Sequence, residues 1–135
     1  MTAAVRRVLL DTSILIRPPQ AGMSSIADLV AVSAVSIAEL EYGVGAAADP
    51  VERQLRRRRL QLVADTMEMI PFDNATARSY GVLANLVRQA GRNPRPRRHD
   101  LLIAATAEQH GLSLATRNPD DFRHLEGVLH VVAVD

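Results

Sequence analysis

The chain has 135 residues, 47% of them hydrophobic and 23% charged, with a formal net charge of +1. That fits one ordinary globular domain over residues 1–135, and the near-neutral balance does not by itself announce a nucleic-acid partner. Cysteine is absent and all 16 basic residues are arginine, which excludes disulfides, thiolate metal sites, thiol nucleophiles, Schiff-base lysines and a P-loop lysine.

No run approaches the roughly 18 uninterrupted apolar residues of a membrane span. The opening Met1 to Arg7 has charge but no apolar stretch ending in a small-residue cleavage site, so neither a signal peptide nor membrane association is expected and the cytoplasm is the expected location.

The first element is an apolar run, Arg7 to Leu10, continuous in the manner of a buried central strand, which stops on Asp11 followed by Thr12 and Ser13. Pro18 and Pro19 interrupt, and Ser24 to Val30 is expected as a short helix. Val32 to Val35 is expected as a second strand. Ser36 and Glu39 then stand three apart in the spacing of a capping box, which marks a helix start. Pro50 to Ala64 has proline in its first turn and predicts a helix with the run Arg56 to Arg59 on a solvated face.

Met69 to Phe72 is expected as a third strand, with Asp73 or Asn74 capping a helix to about Ala90. Gly91 to Arg98 contains two prolines and four arginines and predicts a solvated loop. A helix rich in alanine opens at His99-Asp100 and ends at Gly111. Leu112 to Ala115 is a fourth strand, Thr116 to Asp121 a polar turn, and Val128 to Val134 a last strand. The alternation predicts an α/β fold, a three-layer α/β/α sandwich on a mainly parallel sheet.

In such sheets ligands bind beyond the carboxyl ends of the strands. Asp11, Glu39 and Asp121 fall at or just past those ends, and Asp100 starts the helix leading into the fourth strand. Helix capping explains any one of them, since a helix N-terminus favours a carboxylate by roughly 0.3–1 kcal/mol. Four converging carboxylates, however, repel one another unless a cation neutralises them, and an all-oxygen set without clustered histidine suits Mg²⁺ or Mn²⁺. Thr12, Ser13 and Thr116 are placed to orient the acids or a water. The four histidines offer no better centre, although His99 lies beside Asp100, and no Gly-x-Ser-x-Gly elbow supports acyl transfer.

The blocks Leu9 to Ser13, Ser36 to Gly43, Asp100 to Ala107 and Ala115 to Phe122, in that order, resemble those of PIN-domain ribonucleases, more closely the VapC toxins of type II toxin–antitoxin pairs. The resemblance runs from about Arg7 to Val134. It implies a PIN-like fold and a Mg²⁺- or Mn²⁺-dependent endoribonuclease that cuts structured RNA such as tRNA or rRNA with a metal-activated water. It also implies a homodimer and a hetero-oligomer with a VapB-type antitoxin. Asp11, Glu39 and Asp100 match the family's acidic positions. For the fourth, Asn118 occupies a position often acidic and Asp121 lies one turn later; Asp121 is the preferred acid, with Asn118 as a water or substrate ligand. Arg117 and the Arg92 to Arg98 loop, Arg98 included, are the expected phosphate contacts.

Competing readings are weaker. A haloacid-dehalogenase-type phosphatase wants a second Asp where this chain has Ser13, and a receiver domain needs a lysine. A catalytically inactive PIN-like RNA-binding or assembly module is the remaining alternative.

Overall fold

A computed structural model describes residues 6–135, so the expectation attached to Met1 to Val5 lies outside the described residues. Five parallel strands form one sheet in the order β3-β2-β1-β4-β5. They are β1 (Arg7–Leu10), β2 (Leu29–Ser33), β3 (Glu68–Ile70), β4 (Ser113–Thr116) and β5 (Val131–Ala133). The helices are α1 (Thr12–Ile16), α2 (Ala34–Ala46), α3 (Pro50–Thr66), α4 (Asn74–Gln89) and α5 (Arg98–Gln109), with 3-10 turns at Met23–Ser25, Arg95–Arg97 and Pro119–Leu125.

Two cores, one on each side of the sheet, make the three layers. Because successive side chains of a strand point to opposite faces, Leu9 and Leu114 pack with Leu83, Leu101 and Ile103 of α4 and α5. Val8, Leu10 and Ala115 pack with Ile14, Leu15 and Val63 of α1 and α3. Ala104, Ala105 and Ala107 of α5 are fully buried, and their small side chains let that helix lie close against its neighbours.

The register sets up the functional edge. Leu10 pairs with Val32 on one side and Ala115 on the other, so the next residues, Ser33, Asp11 and Thr116, form a row along the carboxyl edge. The ladder continues one step beyond the strand, with the Asp11 N–H donating to the Ala115 carbonyl at 2.9 Å. The predicted sandwich and parallel sheet are thus observed, with all five strands parallel.

Three local expectations are corrected. Ser24 to Val30 is not a helix: a 3-10 turn covers Met23–Ser25, and Leu29 and Val30 already belong to β2, paired with Arg7 and Val8. Sheet pairing there overrides local helical spacing. The second strand therefore ends at Ser33, two residues earlier than predicted, because the Ser33 hydroxyl accepts the Val35 N–H at 3.0 Å and starts α2. The cap at Asp73 is as expected, a reciprocal box with Thr76. Arg95–Arg97, expected as loop, forms a 3-10 turn that runs directly into α5.

Candidate active site

Asp11 is the residue before α1, the position where an acid ordinarily caps a helix, yet its carboxylate makes no capping bond. Instead Oδ2 accepts two hydroxyls, from Ser13 at 2.8 Å and from Thr116 at 2.8 Å. Both donors converge on one oxygen, so neither competes for Oδ1. Asp11 is only 5% exposed and Thr116 is fully buried, which makes the clamp rigid. Secondary bonds fix the donors: Ser13 Oγ accepts the Arg117 N–H at 3.2 Å, and Thr116 Oγ1 accepts the Asn118 N–H at 3.0 Å.

Glu39 is reached by a second hydroxyl pair. Thr12 Oγ1 lies 3.2 Å from Glu39 Oε1 and 2.9 Å from Ser36 Oγ. A carboxylate only accepts, so the single Thr12 proton goes to Glu39 and Ser36 donates to Thr12. This overturns the capping box assigned to Ser36 and Glu39. Ser33 is the cap, and Ser36, fully buried within α2, is instead the root of a relay that orients Glu39. Ser36 was missed because its spacing from Glu39 imitates a helix start; the contact to Thr12 spans 24 residues and has no local sequence signal.

Asp100 lies in the first turn of α5, and Asp121 in the first turn of the Pro119–Leu125 turn, which the buried Phe122 and Leu125 anchor to the core. The carboxyl of Asp100 is pushed up to about 6, first by burial and then by the negative charges of Asp11 and Asp121, with Glu39 adding to them. Arg97 opposes that rise. Its guanidinium bonds Asp121 Oδ1 at 2.7 Å and stands 3.6 Å from Asp100 Oδ2. The structure thus brings Asp11, Glu39 and Asp121 into electrostatic range of Asp100, which no set of independent helix caps would do.

Arg97 belongs to the loop expected to meet phosphate, but its role as partner of two of the acids was not foreseen. Its spacing three residues before Asp100 was the available signal. Arg98 is exposed and, with Arg95 and His99, lines a recess of about 330 Å³ that Glu39 and Asp100 also border. Arg117 is differently engaged from expectation: Nε and Nη2 donate to the Arg17 carbonyl at 2.9 and 2.5 Å, and Nη1 donates to the carbonyl of Asp135. Asn118 is exposed and meets the site through its backbone, its carbonyl accepting the Asp121 N–H at 3.1 Å.

The donor chemistry fits a hard divalent cation, since Asp11, Glu39, Asp100 and Asp121 offer carboxylates, two of them held by the hydroxyls of Thr12, Ser13 and Thr116, and neighbouring acids add to the burial that raises Asp100. Among the described residues, no three Asp, Glu or His side chains are gathered tightly enough to enclose an ion as they stand. Arg97 pairs with two of the acids, Asp121 and Asp100.

The PIN-domain family model matches residues 8–128. The chain belongs to the PIN-domain family. Within it the chain is of VapC type: it is 40% identical over 126 residues to ribonuclease VapC5 of Mycobacterium tuberculosis, covering 91% of this chain and 90% of that one. It is 31% identical to toxin FitB of Neisseria gonorrhoeae over 85% of this chain and 90% of the relative. Among solved structures, the VapBC-5 toxin–antitoxin complex of M. tuberculosis superposes with a TM-score of 0.83 at 37% identity, covering 95% of this chain and 98% of the matched one. These relatives align with most of the chain. Among the described residues, no helix is long and apolar enough to cross a membrane.

Proposed function

We propose that this single PIN domain is a divalent-metal-dependent endoribonuclease, the toxin of a toxin–antitoxin pair. It acts in the cytoplasm on structured RNA and is held by a VapB-type antitoxin in a hetero-oligomer built on a toxin homodimer. The ribonuclease and toxin names of its relatives and the VapBC-5 complex support this reading. The observation that carries it is the near-full-length likeness to the PIN-domain model and to ribonuclease VapC5, with Asp11, Glu39, Asp100 and Asp121 set at one edge of the parallel sheet.

Asp11 and Asp100 are the residues to hold a Mg²⁺ or Mn²⁺ ion, with Glu39 and Asp121 completing its surroundings. When bound, the ion supplies an activated water and charge stabilisation on the phosphoryl group. The chain's own contribution is orientation. Ser13 and Thr116 pin Asp11 by one oxygen, Thr12 and Ser36 aim Glu39, and the Arg95–Arg98 segment provides positive charge for the RNA backbone. Asn118 stands next to this edge as a water or substrate ligand.

The test is to map RNA 5′ ends after induction of the wild type and of Asp11→Asn. Discrete new ends present only with the wild type support the reading, and in vitro the same cuts disappear with EDTA and return with Mg²⁺ or Mn²⁺. Identical end profiles for both proteins would overturn it and favour the inactive RNA-binding module.

A further inference from the structure

Arg97 closes the 3-10 turn before α5 and places its guanidinium between two of the acids, 2.7 Å from Asp121 and 3.6 Å from Asp100. Its side chain is 49% exposed and those of Asp100 and Asp121 are 30% and 28% exposed. A pair so open to water is weak: it lessens the repulsion between the acids without cancelling it, and it does not resist a doubly charged ion. Pro94 and Pro96 restrict the backbone just before Arg97, and the α5 helix holds it just after, so rotation of its long side chain is the motion Arg97 has available. Next to it, Arg95, Arg98 and His99 line the 330 Å³ recess bordering Glu39 and Asp100, an opening of the right charge for phosphate.

We propose that Arg97 is the resident counter-ion of the cleft, displaced from Asp121 and Asp100 by the incoming divalent cation and thereby freed to bind a phosphate oxygen of the RNA. This rests on the metal-dependent reading above. A guanidinium and a divalent ion repel, so an ion held by Asp11 and Asp100 with Asp121 in its surroundings would loosen Arg97 from both of its acids. Once released, the planar fork matches the geometry of a phosphate. Arg97 is then a positioning group for the acids in the free protein and a substrate contact in the loaded one, which couples RNA capture to metal occupancy.

The experiment measures Mn²⁺ binding to the RNA-free protein by electron paramagnetic resonance, for wild type, Arg97→Gln, Arg97→Lys and Arg95→Gln, and then KM and kcat for RNA cleavage. Loss of the competing cation is expected to tighten Mn²⁺ binding by about two- to fivefold in Arg97→Gln. Arg97→Lys should stay close to wild type, and Arg95→Gln, which removes the same charge without touching the acids, should change less than Arg97→Gln. The KM of Arg97→Gln for RNA is expected to rise about tenfold, as for loss of one charge-assisted contact. Mn²⁺ affinity no tighter in Arg97→Gln than in Arg95→Gln would overturn the counter-ion role, and an unchanged KM would overturn the phosphate step. If no variant, wild type included, binds Mn²⁺, the metal reading itself falls and this inference with it.

Discussion

Thr116 donates its hydroxyl to Asp11 at 2.8 Å across 105 residues of sequence, and it does so from full burial. The bond ties the end of β4 to the end of β1 and selects which carboxylate oxygen stays available. Thr116→Val removes it together with the Asn118 N–H acceptor. Stability should fall by about 1–3 kcal/mol, the range for buried hydrogen bonds lost with a partner left behind. Cleavage should fall about tenfold, read from urea titration and kcat on the same preparations.

The raised Asp100 carboxyl makes the metal-free protein pH-dependent. Its folded value of about 6 exceeds the ordinary 3.8, so the neutral acid favours the fold: its stabilising contribution is full below about pH 3.8 and is lost as pH rises through 6. Asp100→Asn should therefore be more stable than the wild type at pH 7 by about 1–2 kcal/mol, after discounting for solvent at this part-exposed site. The difference should vanish near pH 4. Thermal melts in EDTA at the two pH values check this, while the same variant should lose cleavage.

Asp121 and Asn118 separate by charge and position. Asp121 acts on Asp100 and pairs with Arg97, whereas Asn118 is exposed and joins the edge by its backbone. Asp121→Asn is expected to reduce kcat by about a hundredfold, in the range for loss of one electrostatic partner in a site. Asn118→Ala should cost less than tenfold. Steady-state cleavage of one RNA substrate by both variants is the comparison; the reverse order would reassign the fourth position.

Ser36 supports Glu39 only through Thr12. Ser36→Ala leaves the Thr12 oxygen without its donor in a buried place and should cost about 1–3 kcal/mol. Its effect on cleavage should be smaller than that of Glu39→Gln, and the double variant should be no worse in cleavage than Glu39→Gln alone, since Glu39 is the recipient of the relay.

The sheet and its acidic edge were legible because they rest on local signals. A continuous apolar run identifies β1, the chain switches from strand to helix at Asp11, and helices alternate with strands to the end. What was misread involves contacts distant in sequence. Leu29 and Val30 carry helical spacing but are claimed by pairing with β1. Ser36 looks like a cap because Glu39 follows three residues later, while its hydroxyl is turned to Thr12 on another element. Arg117, exposed by composition, is consumed by carbonyls of Arg17 and Asp135 that only the fold brings near. Acid types and order are thus readable from the chain; which hydroxyl or guanidinium serves each acid depends on the register of β1 between β2 and β4.

That register also bears on when the protein becomes active. β1 is the first strand made, yet one of its two edges waits for Ser113–Thr116, and Asp121 follows later still. A chain growing from its N-terminus at about 5–20 residues per second can dock β2 and β3 on β1, but it cannot close the Asp11 clamp until Thr116, 105 residues further on, has been made. A chain that cut RNA while still being translated would threaten its own message; here the strand order keeps the acids apart until β4 and the turn carrying Asp121 have followed β1.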